Sequence, residues 1–83
     1  MSFSDERLKN EGRLSGMDLE AKRIEIAARG LINSLRNLLG PHEELRELSS
    51  DMISDQALRL SDLLVQHRDA REKIQALRRA LGR

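Results

Sequence analysis

The chain has 83 residues, a net charge of +1, no cysteine, and Phe3 as its one aromatic side chain. That is room for one small domain without disulfide support, and there is no bulk charge to attract a polyanion. A core must come from Leu, Ile, Met and Ala, and a chain rich in Leu, Ala, Arg and Glu with a single Pro predicts helices throughout.

The first predicted element, residues 1–14, is a short N-terminal helix or arm. Ser4 is a candidate N-cap for "DERLKNE", Phe3 and Leu8 stand at staple positions, and Gly12 ends the segment. Residues 15–83 form the main unit, a helical hairpin. Its first helix is expected from about 16 to 39, capped by Ser15 with Leu14 and Leu19 as a second staple. Met17, Ala21, Ile24, Ala28, Leu31, Leu35 and Leu38 recur there at helical spacing. Gly40 suits the residue after the helix, and Pro41 cannot continue it. Beside the leucine face, Ala27, Gly30 and Ser34 are small; either the glycine is tolerated, or another helix approaches closely there.

The turn is expected over about 40–50. "HEELRELSS" reads either as a short helix of its own or as the first turns of one long helix. Leu48 and Ile53 flank Ser49 as a staple would, which favours a fresh start near residue 50. From Ile53 to about residue 82 a heptad is clear. Ile53, Leu60, His67, Ile74 and Leu81 hold position a; Gln56, Leu63, Ala70 and Leu77 hold position d. Between 57 and 65 the apolar arc widens to Ala57, Leu58, Leu60, Leu63, Leu64 and Val65, which calls for more than one neighbouring helix. One hairpin cannot surround that zone. If the turn were at Gly40-Pro41 alone, Ile74, Leu77 and Leu81 would also overhang the shorter helix. If the turn takes up 40–50, His67 faces the region of Ile24. The expected fold is therefore all-α, a helical hairpin closing as a coiled-coil-like dimer or four-helix bundle. Its dimer or partner interface would draw on Ile24, Leu31, Leu35, Leu58, Leu60, Leu63, Leu64, His67, Ile74, Leu77 and Leu81.

Chemistry finds little purchase. His42 and His67 are the only histidines, neither stands in a ligand cluster, and Arg68 and Arg71 make His67 a poor cation site. A polar a position more commonly fixes register or partner; imidazole titration also allows a pH switch. No Gly-rich phosphate loop or nucleophile motif is present, and Glu43, Glu44 and Glu47 read as the acidic first turn of a helix. No enzyme activity, cofactor or metal is expected. The charge is unevenly placed: residues 41–67 carry six acids and two bases, residues 68–83 six bases and two acids. Arg68, Arg71, Arg78, Arg79 and Arg83 are candidate nucleic-acid contacts, although cations near a helix C-terminus are stabilising in their own right. No apolar run approaches the ~20 residues that span a bilayer, and "MSFSDERLKN" lacks the start of a signal peptide, so a cytoplasmic protein with no membrane partner is expected.

Over "MDLEAKRIEIAARGLINSLRNLL" and "ISDQALRLSDLLVQHRDAREKIQALRRALG" the chain resembles small uncharacterised helical proteins from the early regions of Mu-like transposable phages and prophages. The resemblance rests on helical texture and layout, and carries over no functional residue. It implies an accessory protein of the host cytoplasm that binds another protein or DNA. Two readings follow: a non-enzymatic interaction module or regulator acting as a homodimer on an unidentified protein, or a nucleic-acid-binding or packaging accessory using the basic 68–83 arm.

Overall fold

The computed structural model describes residues 3–41 and 44–82, with side chains from Asp5 onward. Two long helices, α1 (Phe3–Leu39) and α2 (Ser50–Ala80), pack antiparallel along a rod 66 Å long and 15 Å across. A single 3-10 turn, Leu45–Glu47, stands between them.

The connection is built from local signals. α1 ends where Pro41 forbids a further turn. Gly40 does not take the left-handed cap conformation expected of it; among the described residues only Gly82 has positive φ, at 75°. Gly40 sits instead against the last turn of α1, where a Cβ would lie 3.1 Å from the Arg36 carbonyl oxygen and 3.3 Å from that of Asn37. α2 starts afresh. Ser49 is its N-cap, its hydroxyl accepting a bond from the Met52 amide at 3.4 Å, and Leu48 and Ile53 are both half-buried on either side. The described residues between Pro41 and Ser50 therefore do not extend the long helix. His42 and Glu43 lie outside the described residues.

The start of the hairpin departs from expectation. α1 does not begin near residue 16: it runs unbroken from Phe3 through Gly12, Ser15 and Gly16. Ser4 and Ser15 lie within the helix and not ahead of its first turn. Leu14 is buried while Leu19 is exposed, so they form no staple; Leu8 is also exposed, and the Phe3 side chain lies outside the described residues. The physical reason is register. With Leu14, Ala21, Ala28 and Leu35 at a and Asn10, Met17, Ile24, Leu31 and Leu38 at d, the seam of α1 continues past both glycines. Gly12 and Gly16 are exposed on its outer side. Each costs about 1 kcal/mol relative to alanine in a helix, less than the packing gained by covering the end of α2.

That cover removes the overhang. Ile74 is 0% exposed and Leu81 is buried, with Leu77 packed against the same cluster. The cluster joins Leu14, Ala21, Ile24, Ala70, Ile74 and Leu81. Ala21 and Ala70 are the small buried side chains of this cluster, and Ala28 is a third, farther along α1.

Burial along the seam is graded. Every described a and d position from Asn10 to Leu38 and from Ile53 to Leu81 is buried or half-buried. The fully buried ones run from Leu14 to Ala28 on α1 and from Ala70 to Leu81 on α2, and none lies beyond Ala28 toward the connection. Toward the connection, Leu31, Leu35, Leu38, Ile53, Leu60 and Leu63 are only half-buried, and the Gln56 side-chain oxygen is enclosed there without a hydrogen-bond partner. Replacing Ile74 by Ala opens the densest layer and is expected to lower unfolding free energy by about 2–4 kcal/mol. Gln56→Leu removes an unpaired polar atom and should raise it by about 1–2 kcal/mol. Chemical denaturation of each variant measures both.

Candidate interaction face

The surface follows from the register. On one flank of the seam, position e of α1 (Asp18, Glu25, Ile32, Leu39) meets position e of α2 (Ala57, Leu64, Arg71, Arg78) in antiparallel order. The terminal half of this flank is ionic. Arg78 lies 3.8 Å from Asp18, and a shallow groove is lined by Asp18, Lys22, Glu25, Arg71 and Arg78. The half near the connection is apolar.

His67 sits at the boundary. It occupies position a of the seam, half-buried, and its Nε2 lies 2.8 Å from Glu25 Oε1. The expectation that His67 faces the region of Ile24 is met, and the acceptor is the residue beside it. The Glu25 carboxyl is held below its ordinary value of 4.5, chiefly by the His67 hydrogen bond; loss of hydration opposes this, and the charges of His67, Arg29 and Arg71 add to the lowering. A polar residue in an apolar seam specifies which level of the partner helix it faces, and Glu25 is the group that reads it. Among the described residues no group of three His, Cys, Asp or Glu side chains is placed to hold a metal ion.

The proposed interface residues divide in two. Ile24, Leu31, Leu35, Leu60, Leu63, His67, Ile74, Leu77 and Leu81 line the seam between α1 and α2. Leu58 and Leu64 do not. Leu58 is 69% exposed and Leu64 53%, and Val65 beside them is 45% exposed. With Ala57, also exposed, they occupy the e and f positions around Ser61 at b. The b and f positions of this arc point away from α1, Ser61 at roughly 130° from the seam at 100° per residue, while the e positions Ala57 and Leu64 flank the seam. Ile32 and Leu39 extend the apolar surface onto α1. Gly30 is exposed, and no other part of the chain approaches the place where its Cβ would stand.

The basic residues are similarly divided. Arg78 is paired with Asp18 and Arg71 lies by Glu25, while Arg68 and Arg79 are exposed with no ion pair among the described residues; Arg83 lies outside them. The residues missed by sequence reasoning are Glu25 and Asp18. Their signal was the e position of α1 opposite a turn of 40–50. No described helix is long and apolar enough to cross a membrane.

Comparisons with protein-family models, with curated proteins and with solved structures return no match.

His67→Leu is expected to keep or raise thermal stability while loosening the choice of register and assembly; a large loss of stability would contradict this role. For Glu25, a depressed folded-state value means stabilisation that is complete well above 4.5 and is lost as pH falls below it. Thermal unfolding from neutral pH down to about pH 3 should therefore fall more steeply for the wild type than for Glu25→Gln.

Proposed function

We propose that this chain is a non-enzymatic interaction module that works as a helical homodimer, two hairpins closing into a four-helix bundle. One observation carries the reading. The hairpin closes its seam well at the terminal end, yet leaves Leu58, Leu64 and Val65 exposed and the neighbouring seam leucines half-buried at the other. A small chain that leaves large apolar residues clustered on one face is completed by association. In the accessory role that the phage resemblance implies, such a dimer regulates by binding another protein, and its helix faces are the means.

A nucleic-acid role has narrower support: exposed Arg68 and Arg79 without ion pairs among the described residues. Of the other candidate contacts, Arg78 is paired with a carboxylate of α1 and Arg71 lies near a second one without forming an ion pair. Titration with duplex DNA at low and moderate salt distinguishes this reading: phosphate contacts give binding that weakens steeply with salt and is lost on charge reversal at Arg78 and Arg79.

Sedimentation at micromolar concentration tests the homodimer. Leu58→Gln with Val65→Gln alters only outward positions, so the hairpin should keep its helicity while association weakens by at least about tenfold. A compact wild-type monomer would overturn the reading.

A further inference from the structure

The apolar face of α2 has an order of its own, which says how a second copy would sit on it. From N- to C-terminus, the b, e and f positions read Ser50, Asp51, Ser54, Ala57, Leu58, Ser61, Leu64, Val65, Arg68, Arg71, Glu72. The sequence of properties is one acid beside a serine, small polar, apolar, small polar at the centre, apolar, then two arginines followed by one glutamate. Ser61 is its midpoint. Ala57 and Leu58 stand as far before it as Val65 and Leu64 stand after it, and Asp51 as far before it as Arg71 after.

From this order we infer that two copies pair through α2 in antiparallel orientation about a twofold axis passing by Ser61, with Asp51 between Arg68 and Arg71 of the partner subunit. The inference rests on the homodimer reading and adds its geometry. A twofold interface uses the same patch twice, so the patch must be complementary to itself reversed or to itself aligned. Reversed, Leu58 meets Leu64 of the partner subunit, Ala57 meets the partner's Val65, Asp51 comes to Arg68 and Arg71 of the partner subunit, and Glu72 comes to the partner's uncharged Ser50. Aligned, Asp51 would face the partner's Asp51, and Arg68 and Arg71 would face their own copies, setting like charges together. The wider charge balance agrees: residues 41–67 are rich in acids and residues 68–83 in bases.

The arc also favours α2 over α1 as the contacting helix. Its centre, Ser61, faces away from α1. On α1 the same side carries Lys22, Arg29 and Arg36 at successive b positions, all exposed. Asp51 and Arg68 have no ion pair among the described residues of their own chain, so each is available to a second copy.

Single cysteines test the geometry, since the chain has none of its own. In the reversed pairing Ser54 lies opposite the partner's Arg68. The two Ser54 residues are then 14 positions apart along the axis, about 21 Å, beyond the ~7 Å reach of a disulfide. Ser54→Cys and Arg68→Cys chains are mixed, exchanged and mildly oxidised, and the linked species are mapped by mass spectrometry. The expected result is a mixed 54–68 disulfide in excess of either self-link, with Ser61→Cys alone linking to itself readily. Sedimentation of the same samples separates the failures. A dimer in which Ser54→Cys links to itself overturns the orientation and leaves the homodimer standing. A dimer that forms none of these links overturns the face. A monomer overturns the homodimer reading with it.

Discussion

The antiparallel seam between α1 and α2 is the constraint from which the rest of the molecule follows. With one aromatic residue and no cysteine, the chain has only the burial of Leu, Ile, Met and Ala between two helices to hold it together. Ile74 is where that burial is complete. Once it is seated against α1, the heptad dictates every other level. Arg78 comes to Asp18 and His67 comes to Glu25. A shift of a whole heptad would keep apolar residues in the seam, but it would move His67 away from its carboxylate. The polar pair therefore selects among registers that hydrophobic burial alone leaves similar.

The same seam explains why the two ends of the rod differ. Near the termini, buried Ala, Leu and Ile fill the layers, and ionic residues close the flank. Near the connection, larger side chains and Gln56 occupy the seam, and it stays half open. The apolar e and f positions of α2 lie over this weaker half. Burial is thus deepest at one end, and the exposed apolar e and f residues of α2 lie toward the other.

Much of this was legible in the sequence, because the signals were periodic or local. The heptad from Ile53 to Leu81, the stop at Pro41 and the fresh start at Ser49 each follow from residues within a few positions of one another. The wide apolar zone at 57–65 was visible for the same reason. What was not legible was the N-terminal course of α1. Gly12, Ser15 and Gly16 carry the local marks of a break, and only the distant need to cover Ile74 and Leu81 overrides them. Local propensity loses where packing along a long seam outweighs about 1 kcal/mol per glycine. The seam residues were likewise visible as apolar, but their partner in the same chain depended on where α1 begins. Glu25 carries no local signal, and only the register of the two helices places it beside His67.

The central claim is that one chain closes its own seam in this register, leaving the 57–65 face for another molecule. A distance between spin labels tests it most directly. Cysteines at Lys22 and Gln75, both exposed and at the same level of the hairpin, would carry the labels, with the labelled chain diluted in unlabelled protein so that only distances within one chain are read. The hairpin places two helices about 8–10 Å apart, so a single narrow distribution below about 25 Å is predicted. A distance several times longer, or one that vanishes on dilution, would show that the seam forms between chains and would contradict the account.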